Sequence, residues 1–246
     1  MTDSNDTLST KTLAMISHKL RTPLSIINGY SEAILSQATK EKFSPFTAKA
    51  IGEIHKQGGR ISLLIDKLSA FTKVFATQEG NLEKQSVVLK TLIKECAAIA
   101  ISQNNEDMLP TQHQDSVKRG TFIEIDCSSQ LTLEANEEML RWCVCELLVN
   151  AIKFNTKMEK TIKVQATNHG DSISISIRDY GVGIRPQDVS KIFEPFYQVD
   201  DYFTGQVSGW GLGLPMIQRA LELHHGSISV VSDRGLGSIF TLSFPL

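Results

Sequence analysis

Heptad-spaced apolar residues near the head of the chain constrain its fold more than any other feature. Leu13, Leu20, Leu24, Ile27 and Ile34 follow at steps of seven, four, three and seven, with Ile16 beside the stripe. That spacing holds side chains on one seam of an α-helix and predicts a helix over residues 8–38. Pro23 lies inside it and predicts a bend, because proline removes a backbone donor and crowds the preceding turn. A second stripe, from Phe46 through Ile54, Ile61 and Leu68 to Phe75, predicts a helix from Pro45 to Phe75. The polar segment Gln37 to Ser44 between them makes a helical hairpin with one long apolar face. Two helices cannot enclose a core. The face packs either on the rest of the chain or on a second copy, and sustained heptads favour a four-helix bundle of two copies.

A polar stretch around Gly80 predicts a linker over 78–84, dividing a first domain, 1–77, from a second, 85–246. The pattern then changes. Helices are predicted over Leu89–Ile101, Glu137–Phe154 (with Asn136 as N-cap) and Leu212–His224, and a short one over Pro186–Ile192. Strands are predicted over Thr121–Cys127, Ile162–Thr167, Ser172–Arg178, Ser227–Ser232 and Ser238–Phe244. The polar segment 103–120 reads as a loop, and weak periodicity over 197–210 predicts a mobile segment. The fold class is therefore α+β: a helical hairpin followed by an α/β sandwich, one sheet with helices on one face.

Charge and composition exclude several functions. Lys and Arg total 25 against 27 Asp and Glu, so no bulk positive charge holds nucleic acid. No run of apolar residues is long enough to span a membrane, and Met1–Asp6 lacks the features of a secretory signal. The four cysteines show no zinc-ligand spacing and fit a reducing cytoplasm.

Four segments could carry chemistry. Glu146, Asn150, Lys153 and Phe154 fall near one face of a helix. A carboxylate, an amide, an ammonium and an aromatic suit a nucleotide with a divalent cation, although a solvated helix face explains the same spacing. Asp179-Tyr180-Gly181-Val182-Gly183-Ile184 follows a strand; its carboxylate could accept an exocyclic amino group, and its glycines let backbone approach a ligand. An ordinary turn is the other reading. Gly209-Trp210-Gly211-Leu212-Gly213 leads into a helix, where N–H groups can meet phosphate, or serves as a hinge. His18 and Thr22 lie four apart on the outer face of the first helix, and an exposed imidazole can act as a nucleophile. By itself such a histidine is ordinary surface.

In this order the segments resemble one family, the bacterial two-component sensor histidine kinases. His18-Lys19-Leu20-Arg21-Thr22-Pro23-Leu24 resembles the H-box of the dimerisation and phosphotransfer domain, and Glu146 to Asn155 resembles the N-box. Asp179 to Gly183 is similar to the G1 box, Phe193-Glu194-Pro195-Phe196 to the F-box and Gly209 to Gly213 to the G2 box. The resemblance implies a homodimeric four-helix bundle with His18 as phospho-acceptor, and a Bergerat-type ATP-binding sandwich. It implies that Asp179 binds the adenine amino group, with Gly181, Gly183 and Ile184 beside it. Asn150 would hold Mg²⁺, Glu146 would order the metal's water shell, and Lys153 would meet phosphate. Phe154 would line the pocket, followed by Asn155 where Thr is frequent. Residues 185–210 would form a lid anchored by Phe193 and Phe196, and Gly209, Gly211, Leu212 and Gly213 would complete the nucleotide site.

The implied reaction is transfer of the γ-phosphoryl group of ATP to His18, then to an aspartate of a response regulator. Thr22 matches a position that orients water for dephosphorylating the regulator. An upstream sensor domain outside this chain and a cytoplasmic location are also implied. Most relatives carry Glu or Asp immediately after the histidine, whereas this chain has Lys19. A cation there cannot take the imidazole proton, which predicts slow autophosphorylation. The alternatives are a phosphatase-biased regulator of signalling, an ATPase clamp sharing the Bergerat fold, and a dimerisation scaffold with a vestigial pocket.

Overall fold

The computed structural model describes residues 3–37, 43–106, 120–199 and 209–246, and it divides into two compact units, Met1–Thr77 and Gln78–Leu246. In the first unit, α1 (Asp3–Gln37) is one continuous helix with Pro23 inside it. Helix α2 (Pro45–Ala76) starts where the Ser44 side chain accepts the Thr47 N–H at 3.1 Å, with proline at the first helical position. Most of the predicted turn between the helices lies outside the described residues.

The two helices meet along only part of the predicted seam, and Leu68 and Phe71 of the α2 stripe are buried. Leu24 is buried, but Leu20, Ile27 and Ile34 are 45%, 47% and 36% exposed. Among the described residues, the α1 side chains buried with Leu24 are Ser17 and Ser31, seven positions to either side. The cause is a set of polar contacts across the hairpin. Asn28 donates to Ser62 Oγ at 3.0 Å, Ser31 bonds His55 Nδ1 at 3.1 Å, and Arg21 pairs with Asp66 at 3.0 Å. Gly58 makes room for Asn28, since a Cβ there would overlap the Asn28 amide oxygen. These contacts turn the apolar stripe of α1 outward, and Phe46, Ile54 and Ile61 of α2 are likewise exposed.

The second unit is built on a five-stranded sheet. Its strands, in spatial order, are β2 (Thr121–Cys127), β4 (Lys160–Asn168), β5 (Ser172–Asp179), β7 (Gly237–Pro245) and β6 (Ser227–Asp233). Strands β2 and β4 are parallel and the other neighbours antiparallel. Ile173, Ile175 and Ile177 alternate onto the buried face. There they join side chains of α3 (Leu89–Glu106), α4 (Glu137–Lys153) and α5 (Gly213–Leu223) in one core. The opposite face is polar and carries the Lys163–Glu124 pair at 3.0 Å.

Three features depart from the sequence expectation. A second, two-stranded sheet pairs β1 (Gln85–Val88) with β3 (Thr132–Ala135), segments too short to show a period. Helix α3 runs five residues past Ile101. The short helix expected over Pro186–Ile192 is replaced by turns and a single 3₁₀ turn, Lys191–Phe193. Its Asp188 side chain is gripped by Arg185 and Tyr197, and i→i+3 bonds there do not propagate into a helix. Among the described residues no helix is long and apolar enough to cross a membrane.

Candidate active site

Helix α4 is fixed at both ends. Asn136 Oδ1 accepts the Met139 N–H at 3.0 Å, and the Asn136 N–H itself donates to His224 Nε2 at 3.0 Å. His224 in turn donates from Nδ1 to the Ala220 carbonyl at 2.7 Å, and burial lowers its pKa, so it is a neutral spacer between α5 and α4. At the other end Lys160 donates to the Ile152 carbonyl at 2.9 Å.

Leu147, Leu148, Ala151 and Ile152 face the core, which leaves Glu146, Asn150, Lys153 and Phe154 partly exposed along α4. The glycine segment lies against this stripe. A Cβ on Gly209 would sit 2.8 Å from Lys153 Nζ, and one on Gly213 would sit 2.9 Å from Glu146 Oε2. The Lys153 ammonium also lies 4.8 Å from the Phe154 ring centroid.

At the end of β5, Asp179 is only 6% exposed and accepts the Gly181 N–H at 2.8 Å. Burial raises its pKa, opposed by hydrogen bonds from Gly181 and Ser238. The glycines after it serve the protein's own packing. A Cβ on Gly181 would strike the Phe154 carbonyl, which also accepts the Val182 N–H at 3.2 Å. Gly183 has φ +66° and abuts the Asp233 carbonyl. The Ile184 N–H is held by Ser232 Oγ at 2.8 Å. Asn155 is 1% exposed; its oxygen accepts the Lys157 N–H at 3.2 Å while Nδ2 is without a partner.

The two ends of the segment between the F-box and the glycines are joined. Phe196 N–H donates to the Gly211 carbonyl at 2.8 Å, and Gln198 Nε2 donates to the Gly209 carbonyl at 3.1 Å. Phe196 has φ +65° and is 53% exposed, while Phe193 is half-buried. Beside them Ile192 is buried, and the Tyr197 hydroxyl donates to Asp188 at 2.7 Å. Arg185 pairs with the same carboxylate at 2.7 Å, and these two partners lower the Asp188 pKa. Leu212 is buried at the start of α5. Residues 200–208, within the expected lid, lie outside the described residues.

In the first unit His18 and Thr22 are exposed neighbours one turn apart, and Ser17 beside them is buried. Asp188, Tyr197, Ser232 and Ser238 are not among the site residues that the sequence suggests. They share no periodicity with the residues they support, so no local pattern marks them.

The donor set fits a magnesium nucleotide. Glu146 and Asn150 offer hard oxygen donors one turn apart, Lys153 a cation, Asp179 a recessed acceptor, and Asn155 an orphaned buried donor. With the glycine backbone laid over α4, these features define a nucleotide-binding α/β module of the ATPase class, preceded in sequence by a helical hairpin.

Known proteins give the same answer. The family described as "Histidine kinase-, DNA gyrase B-, and HSP90-like ATPase" matches residues 135–246, and "His Kinase A (phospho-acceptor) domain" matches residues 9–74. The phosphate regulon sensor protein PhoR of Pseudomonas aeruginosa is 30% identical over 94% of this chain and 49% of its own length. That of Haemophilus influenzae is 29% identical over 96% of this chain and 51% of its own. Among solved structures, full-length ShkA in complex with AMPPNP matches with a TM-score of 0.73 at 25% identity, covering 96% of this chain and 45% of ShkA. The chain belongs to the two-component histidine kinases and comprises their catalytic core. It spans about half the length of the two PhoR relatives.

Proposed function

We propose that this chain phosphorylates its own His18 from ATP and passes the phosphoryl group to an aspartate on a response regulator. The observation that carries this is an exposed imidazole on a helical hairpin, in one chain with a glycine-covered stripe of Glu146, Asn150 and Lys153. Asp179 accepts the adenine amino group, and Gly181, Gly183 and Ile184 shape the wall beside it. Phe154 lines the base pocket. Lys153 meets phosphate, and the backbone of Gly209, Gly211, Leu212 and Gly213 runs alongside. Asn150, with water ordered by Glu146, would hold Mg²⁺, which would supply charge neutralisation at the phosphates. Phe193 and Phe196 belong to the base of the lid.

The His18 nitrogen attacks the γ-phosphorus in line. The N–P bond forms, the bond to the ADP oxygen breaks, and ADP leaves with the electron pair; the imidazole proton passes to solvent. Such transfers depend mainly on positioning and charge neutralisation. The exposed stripe of Leu20, Ile27, Ile34, Ile54 and Ile61 fits a homodimeric four-helix bundle. Its outer surface presents His18 to the regulator. The proposal includes a cytoplasmic site of action and, after relatives named as sensor proteins, an upstream sensor.

Lys19 favours a second reading, in which the kinase step is slow and Thr22 supports removal of phosphate from the regulator. Two assays decide. With γ-labelled ATP, His18 gains acid-labile label, and His18→Gln abolishes it while nucleotide binding persists; undiminished label in His18→Gln overturns the proposal. Rapid loss of regulator phosphate with negligible His18 labelling selects the second reading.

A further inference from the structure

Helices α3 and α4 bring together two cysteines that no sequence pattern pairs. Cys96 on α3 is fully buried, and its thiol donates to the Arg141 carbonyl on α4 at 3.4 Å. Arg141 lies one turn before Cys145. Helical side chains lean toward the N-terminus, so the Cys145 sulfur sits over the Arg141 turn, beside Cys96. The two thiols are side-chain neighbours across the two helices. The turn is fixed from outside, since Arg141 pairs with Glu95 at 2.5 Å and Glu137 at 2.7 Å. Access differs between the two: Cys145 is only partly buried, whereas Cys96 has no exposed surface. The remaining cysteines are placed differently. Cys127 is buried and donates to the Ser128 carbonyl at 3.4 Å, and Cys143 is packed in the apolar core.

We propose that Cys96 and Cys145 are a peroxide-sensitive thiol pair that closes to a disulfide tying α3 to α4 immediately before Glu146. Cys145 reacts first because it is the sulfur a small oxidant reaches. Its sulfur attacks one peroxide oxygen, the O–O bond breaks, and water departs with the thiol proton, leaving a sulfenic acid. Cys96 then attacks that sulfur. The S–S bond forms, the S–O bond breaks, and a second water carries away the Cys96 proton. Two electrons pass from the thiols to the peroxide. A disulfide brings its sulfurs to about 2.05 Å, closer than any hydrogen-bonded contact, so closure draws α3 and α4 together along this turn. The chemistry is independent of the nucleotide and of His18.

The test treats the whole chain with hydrogen peroxide, blocks remaining thiols with an alkylating mass tag, and maps peptides without reduction. The expected result is loss of two of the four thiols, restored by dithiothreitol. Cys143 and Cys145 share the tryptic peptide between Arg141 and Lys153, so fragment ions must place the link on Cys145. In Cys96→Ala the Cys145 sulfenic acid persists and is trapped by dimedone, and in Cys145→Ala neither adduct nor link forms. A link to Cys143, a link between chains, or retention of all four thiols overturns the proposal. The wild-type map decides even where a variant does not fold.

Discussion

Between α1 and α2 the buried side chains include Ser17, Ser31 and Thr72, while Leu20, Ile27, Ile54 and Ile61 face outward. Leu24, Ile65, Leu68 and Phe71 are buried in the hairpin as well. In the sandwich the division is cleaner: Ile162, Ile173, Ile175 and Leu148 are inside, and the free face of the sheet carries Glu124, Lys163 and Arg178. The sandwich has completed its core within one chain. The hairpin has used polar groups to fix its register and left its apolar stripe for another surface. Burying each Leu or Ile of that stripe is worth about 1.5–3 kcal/mol, enough in sum to hold a second hairpin. One region is built to bind a small molecule and the other to be completed by a macromolecule.

The sharpest separation of the two regions pairs His18→Gln with Asn150→Ala. Labelling falls at least about a thousandfold in both, because the first removes the proposed nucleophile and the second the proposed metal-binding amide. Nucleotide affinity, read by calorimetry, falls only in the second. Gly183→Ala tests the sandwich alone. The left-handed backbone and the Asp233 carbonyl leave a methyl no room, and unfolding in urea should show a loss of about 2–4 kcal/mol.

Ile27→Glu with Ile61→Glu tests the hairpin alone. Charges on the stripe should weaken self-association by about a hundredfold in sedimentation equilibrium, while Val231→Glu on the exposed sheet edge leaves it unchanged. His224→Ala strands the Asn136 N–H and should cost about 1–3 kcal/mol. The folded protein resists protonating His224, so the unfolded chain takes up the proton first as pH falls through the usual value of 6.5. Stability contributed by this residue is therefore present above that pH and lost below it. The melting temperature of His224→Ala should respond less to acid than that of the parent. The smallest effect expected is a gain: Lys19→Glu raises labelling by roughly tenfold by supplying a proton acceptor beside His18, and equal initial rates would count against that account of Lys19.

Much of this was legible in the sequence because it is local. The α4 stripe follows from a helical period, Asp179 from its place at a strand end, and the hairpin from its heptads. What escaped depends on distant partners. The outward turn of the α1 stripe is set by Asn28 against Ser62 and Gly58 on the opposite helix. Strands β1 and β3 exist through each other. Gly181 and Gly183 also make way for Phe154 and Asp233 of the chain itself, which no local pattern shows. Asp188 serves Tyr197 across a turn that no periodicity marks.

Pro23 lies within the unbroken α1, five positions beyond His18. Lacking an N–H, it offers nothing to the carbonyl of Lys19, four residues back. The ladder therefore misses a rung in the turn that follows the imidazole, on a stretch where Lys19 and Pro23 both meet solvent. Bending is cheapest at such a gap. A small flexure there can swing the imidazole tip through an arc while the helical turns to either side stay intact.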